Sequence, residues 1–216
     1  RSGLRHLDFR VGLDEGFSIS TEDVTLKGYQ KDCSLHYGIR VIAGPRRASA
    51  SGFIGGELSV RDFAHAPRII KNAIGVAYER AMAAANRKLV TKDRFGHLAK
   101  SILSEIALAR IPVVRDTIAA DYDIDPRTVQ KKEAEEYLLD VAGDIEKRFP
   151  TIKNSLMSAF SFLERQLFFS SEGSVIDEAH AFSGATVFFT AQSGSKLPAD
   201  LYHHVGNEFG WEALVA

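Results

Sequence analysis

Histidine is the residue type here with the widest chemical reach, and the 216-residue sequence contains seven. Two histidines one helical turn apart with a nearby carboxylate would bind zinc and activate water. No HExxH or HExxxH string occurs, and the nearest arrangement is His203-His204 followed by Glu208. Gly206 and Gly210 make that stretch a poor helix, so both histidines are expected on a surface loop. Asp121, Asp123 and Asp125 match the first three ligand positions of a calcium loop. Its sixth position, here Pro126, needs glycine, and its twelfth, here Lys132, needs glutamate. A turn that leads into a helix explains the three aspartates better. Gly44 to Gly56 holds four glycines with Arg46 and Arg47, but it has no GxxxxGK[ST] string to cradle phosphate, which leaves a solvated hairpin turn. Cys33 precedes His36 by three residues, and in a strand such residues point to opposite faces, so a Cys-His pair is not formed. A buried core thiol is expected for Cys33. Lys131 and Lys132, set four residues before Glu135 and Glu136, read as the solvated face of a helix. Catalytic, cofactor-binding and metal-ligating residues are therefore expected to be none within this chain.

The elements that would position these residues follow from periodicity. Leu7, Phe9 and Val11 alternate with polar neighbours, as do Phe17, Ile19 and Thr21, and then Leu35, Tyr37, Ile39 and Val41. With Ala48 to Ile54 after the Gly44-Pro45 turn, this predicts a meander of about four antiparallel strands. Beyond Ser59 the period lengthens: Phe63, Ala66, Ile70, Ala73, Ala77 and Ala81 share one helical face. We expect a short helical turn, then a main helix from about Pro67 to Arg87 with the sheet packed on its alanine face. A further helix is expected from Lys92 to Arg110 through Leu98, Ile102, Ile106 and Leu108, ending at Pro112. Another is expected from an Asp125 N-cap and Pro126 to Phe149, stopped by Pro150. In the last third, Leu156, Phe160, Phe162 and Leu167 to Phe169 lead to a Ser170 to Gly173 turn, followed by Ser174 to Glu178 and Ala185 to Ala191. These make three or four more strands. The fold class expected is α+β, an antiparallel sheet packed against two or three helices in the order strands, helix, helix, strands. The chain is read as a single domain, residues 1–216, with possible sub-parts 1–90, 91–150 and 151–216.

Composition narrows the class further. With 45% hydrophobic and 25% charged residues the chain can build a sizeable core, and its formal net charge of -1 offers no basic field for nucleic acid. A single cysteine excludes an internal disulfide, and a reducing cytoplasmic setting is expected. Apolar runs such as Ala185 to Ala191 fall far short of the ~20 residues that span a bilayer, so no membrane partner is expected. The start at Arg1 suggests a fragment or a trimmed chain.

Three ordered strings add a resemblance. His36-Tyr37-Gly38-Ile39-Arg40-Val41, then Ser51-Gly52-Phe53 and the helix through Ala73 to Ala81, are similar to a "G-x-R-V... G-F-A... A-x-x-x-A" opening. Asp125-Pro126 leads into Lys131-Lys132-Glu133 and Tyr137-Leu138-Leu139. Phe169-Ser170-Ser171-Glu172-Gly173 resembles an "N-S-E-G" hairpin, with Ser170 in place of Asn. Together, from about Leu7 to Trp211, they resemble the N-terminal half of the TldD/PmbA peptidase family, also called modulators of DNA gyrase. The resemblance implies a cytoplasmic metallopeptidase, a hydrolase, whose C-terminal domain, absent from this chain, would carry zinc on an HExxxH helix and a later cysteine. It also implies a homo- or heterodimer of related subunits acting in proteolysis of unfolded or flexible peptides. This half would then serve dimer assembly and the peptide cleft. The alternative is part of a PmbA-like subunit without zinc, a structural and peptide-binding partner.

Overall fold

The structure, a computed structural model, describes residues 3–103 and 111–215. Two long strands, β1 (Leu4–Glu22) and β2 (Thr25–Ala43), open the chain, and a 3-10 turn at Arg46–Ala48 joins them to β3 (Ala50–Leu58). The expected four-strand meander is thus three strands, because the two alternating runs Leu7 to Val11 and Phe17 to Thr21 lie on one continuous strand of 19 residues. A 3-10 helix, Val60–His65, carries a capping box in which Ser59 and Asp62 bond reciprocally, and it leads into helix α1 (Ala66–Ile102). The helices expected around Pro67 to Arg87 and from Lys92 onward meet at a kink at Gly96, whose φ of 50° and ψ of -116° are not helical, so the break falls later than expected. Ile106, Leu108 and Arg110 lie outside the described residues.

A four-residue strand, β4 (Arg115–Ile118), follows, and then helix α2 (Lys131–Arg148), which starts five residues later than Asp125-Pro126 would place it. The Asp125 carboxylate instead closes a local turn: it accepts hydrogen bonds from the Arg127 backbone N–H at 2.9 Å and from the Arg127 guanidinium at 2.6–3.1 Å. Gln130 is the residue at the N-cap. β5 (Ile152–Ser170), β6 (Val175–Ala191) and β7 (Ala199–Asn207) complete the sheet, and a short helix α3 (Glu212–Val215) ends the described chain. The strand order is β3-β2-β1-β5-β6-β4, with β7 also paired to β6. Sheet and helices have the expected α+β arrangement. β4, which the sequence pattern does not reveal, pairs with β6 in parallel, from Arg115↔Val175 to Ile118↔Glu178.

The chain divides into two compact units, each assembled from three segments. The first contains residues 1–13, 34–118 and 166–178. Its core is Ile39, Val41 and Ala43 of β2 against Ala73, Ala77 and Ala81 of α1, each at most 4% exposed. Close approach is what an alanine stripe permits: a Cβ placed on Gly52 of β3 would stand 2.1 Å from the Ala77 carbonyl oxygen and 2.6 Å from the Ala81 nitrogen. The second unit contains residues 14–33, 119–165 and 179–216. Its core joins Phe17 and Ile19 of β1, Met157 and Ala159 of β5, Ala134, Leu138 and Ala142 of α2, and Trp211. Trp211, fully buried, has ring contacts with Phe17 at 5.2 Å and Tyr137 at 5.6 Å between centroids. Burying side chains of this size is worth about 1.5–3 kcal/mol each. Along β5 the covered face is thus Ser155, Met157, Ala159, Ser161 and Leu163, while Leu156 is exposed.

Candidate functional site

Alternation in the first unit puts Leu7 and Phe9 of β1 against the α1 core and their neighbours His6, Asp8 and Arg10 on the opposite side of the strand. On β2 the same alternation separates Ile39 and Val41 from Gly38 and Arg40. A charged row results. The Asp8 carboxylate, 4% exposed, accepts hydrogen bonds on Oδ2 from Arg40 Nε at 2.7 Å and pairs with Arg40 Nη2 at 2.6 Å. His6, also buried, brings Nε2 to 3.0 Å from the same oxygen, and its Nδ1 lies 3.6 Å from Glu172 Oε1. A buried carboxylate is tolerated only with partners such as these.

Beside the row lies an open cavity of about 560 Å³, lined among others by Asp8, Arg10, His36, Tyr37, Arg40 and Phe53. Its floor is bare backbone at Gly12, where an added Cβ would stand 2.1 Å from His36 Nε2, so the imidazole rests over the strand. Phe53, 62% exposed, and Tyr37 supply apolar wall. Arg10 stacks its guanidinium over the Phe168 ring at 5.4 Å. His6 has a carboxylate partner but no hydroxyl or thiol hydrogen-bonded to it among the described residues, so a nucleophile is not assembled there. What the arrangement offers is recognition of charge beside an apolar surface.

The second unit carries a different feature. β7 pairs with β6 from Ser183↔Asn207 to Ala191↔Ala199, its nine residues are all exposed, and no strand pairs with its outer edge among the described residues. His203 and His204, expected on a loop, are strand residues. An i, i+4 pairing of His204 with Glu208 is therefore not formed. His204 Nδ1 instead sits 2.9 Å from Thr186 Oγ1, and its ring stacks on Phe160 at 6.4 Å.

Arg46 and Arg47 form the 3-10 turn, whose Arg47 carbonyl accepts a hydrogen bond from Lys92 Nζ at 2.7 Å. Asp125 is tied to Arg127; the hydrogen bond from that side chain holds the Asp125 carboxyl below its usual pKa range. Cys33 is exposed, not buried: it lies on the stretch of β2 where few side chains are covered. Partial desolvation and the Glu15 carboxylate, 4.0 Å from the sulfur, push its thiol pKa up. Lys132 and Glu136 form an exposed pair at 3.4 Å on α2, as their spacing predicts. No group of three His, Cys, Asp or Glu that could hold a metal occurs among the described residues. Among them, too, no helix is long and apolar enough to cross a membrane. The His6, Asp8 and Arg40 row escaped sequence reading, since Arg40 is 32 residues from Asp8; the available signal was charge at every second position of an apolar strand.

No family model matches the chain, and no curated protein matches it. Solved structures do. A candidate modulator of DNA gyrase from Bacteroides thetaiotaomicron is similar over 96% of this chain and 42% of its own, at TM-score 0.62 and 12% identity. A second, from Thermotoga maritima, is similar over 94% of this chain and 40% of its own, at TM-score 0.59 and 9% identity. The chain has the fold found in these proteins. TldE from Thermococcus kodakarensis shares it over 94% of this chain and 40% of its own, at TM-score 0.56 and 12% identity. The likeness agrees with the TldD/PmbA resemblance read from the three strings. This chain spans about two fifths of the length of the modulator and TldE structures.

Proposed function

We propose that the chain is the non-catalytic half of a TldD/PmbA-type peptidase, serving subunit pairing and the holding of flexible peptides. Zinc and the cleavage step then reside in the part of the parent outside this chain. The observation that carries this reading is the coverage: 94–96% of the chain finds an equivalent in only 40–42% of each modulator or TldE structure. β7 supports the second role. An extended peptide is held most simply by backbone hydrogen bonds to an unpaired strand edge, a mode indifferent to side-chain identity. Nine exposed residues give such an edge useful length.

The test is metal analysis and peptidase assay of the full-length parent beside this chain alone. Stoichiometric zinc with chelator-sensitive cleavage of an unstructured peptide is expected for the parent, and neither for the chain. Zinc-free parent would support the alternative, a PmbA-like structural and peptide-binding subunit. Chelator-sensitive cleavage by this chain alone would overturn the proposal.

A further inference from the structure

The cavity beside Asp8 has a charge balance that selects a ligand class. Its lining carries one carboxylate, Asp8, two guanidinium groups, Arg10 and Arg40, and the imidazole of His36. Asp8 and Arg40 neutralise each other at 2.6 Å. Arg10 is left over, with a ring beneath it and no carboxylate within ion-pair distance among the described residues. One positive charge remains. We infer that this cavity binds a single carboxylate attached to an apolar or aromatic body, the carboxylate meeting the Arg10 guanidinium and the body lying against Phe53 and Tyr37.

Three features favour this over a site for a dianion such as phosphate. The surplus is one charge, not two. Arg40 has its Nε and Nη2 committed to Asp8, so one guanidinium alone has both donor edges open to make the two parallel bonds a carboxylate accepts. An exposed aromatic wall, Phe53 at 62%, is wasted on an inorganic ion but matches an organic acid. Preorganisation is also present: stacking on Phe168 restricts Arg10 before any ligand arrives, and the cavity lies within the size range of small-molecule sites. The inference concerns the chemistry of this cavity alone and stands whether or not the parent is a peptidase.

The test is titration calorimetry on the full 216-residue chain, with the Gly12 and Gly38 amide signals followed by NMR. The probes are N-acetyl-phenylalanine, its C-terminal amide, an amidated peptide with one internal glutamate between phenylalanines, and inorganic phosphate. Saturable binding of N-acetyl-phenylalanine with shifts at Gly12 and Gly38 is expected, and its amide should bind at least about ten-fold more weakly, the worth of a charged hydrogen-bonded pair. Binding of the glutamate peptide as well assigns the carboxylate to side chains; its failure assigns it to free termini and small acids. Arg10→Gln should weaken the acid by about ten-fold or more, and it leaves every ion pair named above intact. Arg46→Gln, outside the cavity, should change nothing. Equal affinity for acid and amide, tighter binding of phosphate, equal effects of the two arginine variants, or no saturable binding of the acid would each overturn the inference.

Discussion

Gly52→Ala tests whether the contact between β3 and α1 is as close as the backbone geometry requires. Ordinary carbon contacts begin near 3.4 Å, yet the new Cβ would stand 2.1 Å from the Ala77 oxygen, 2.6 Å from the Ala81 nitrogen and 3.0 Å from the Arg80 Cβ. Two of the three obstacles are helix backbone, which cannot rotate aside. α1 must therefore move off by about 1 Å, loosening the packing of Ala73, Ala77 and Ala81, all at most 4% exposed. Overpacking of this kind costs typically about 1–3 kcal/mol, and backbone obstacles place it in the upper part, about 2–3 kcal/mol. The opposing effect is the lower entropy of the unfolded alanine chain, about 0.4–1 kcal/mol. The net loss is about 1–2.5 kcal/mol, which for a chain of this size lowers the thermal midpoint by about 2–10 °C. Calorimetry supplies the midpoint, and hydrogen exchange of the α1 amides should rise more than that of α2, whose core is separate. A midpoint equal to or above that of the parent chain would refute the close approach, because the entropic gain would then stand unopposed.

Gly173, in the turn between β5 and β6, has φ of 104°. A Cβ added at Gly173 would meet only ordinary contacts, the nearest being Val113 Cγ1 at 3.7 Å, so backbone strain is the main part of the cost of about 1–3 kcal/mol expected for Gly173→Val in urea denaturation. Gly173→Asn, which tolerates the left-handed region better, should recover part of it. Glu212 gives a pH-dependent case. Partial burial acts to raise its pKa, but hydrogen bonds from the backbone N–H groups of Ile124, Glu212, Asp123 and Gly210 outweigh this and hold it below the usual range. A lowered folded pKa means the stabilisation is complete above the unfolded-chain value and is lost as pH falls through the folded one. Glu212→Gln should therefore destabilise by about 1–2 kcal/mol at neutral pH, with the gap closing in acid. Trp211, the single tryptophan and next to Glu212, reports it by fluorescence; a gap that widens in acid would refute the assignment.

Hydrophobic period carried most of the architecture. Ala73, Ala77 and Ala81 placed the helix face and its sheet, and the Ser170 to Gly173 turn is where alternation on both sides put it. The misreadings share a cause: local signals were satisfied locally. Asp125-Pro126 has the composition of a helix start, but Arg127 is within reach of the same carboxylate and closes a turn first. Gly12 and Gly16 interrupt the alternation of β1, so one strand read as two, although hydrogen bonding to neighbours makes both runs one strand. β4 is four exposed residues with no period, and only its register with β6 makes it a strand. The charged row beside the cavity leaves only alternating charge as a mark in the sequence, because each member is unremarkable alone; its meaning depends on β2 folding back along β1.

That folding back also gives a physical account of the strings that suggested the resemblance. In Gly38-Ile39-Arg40-Val41, Ile39 and Val41 are wholly buried against α1, while Arg40 neutralises Asp8 and Gly38 lines the cavity. Across the hairpin, Arg40 pairs in register with Phe53, and Val41 with Gly52. Gly52 admits the helix backbone on one side, and Phe53 walls the cavity on the other. Both strands therefore serve two demands at once, a close helix on one face and a charged recess on the opposite one. Such a pattern constrains residue type at every position, since a one-residue slip would send Arg40 into the alanine core and Ile39 into the recess. Buried Asp8 sharpens the constraint, because losing Arg40 would leave a carboxylate that is 4% exposed with His6 alone as its ion-pair partner. In this string the strand pair leaves few alternatives at each position, and the recess it builds is the part of the first unit with chemistry to offer a ligand.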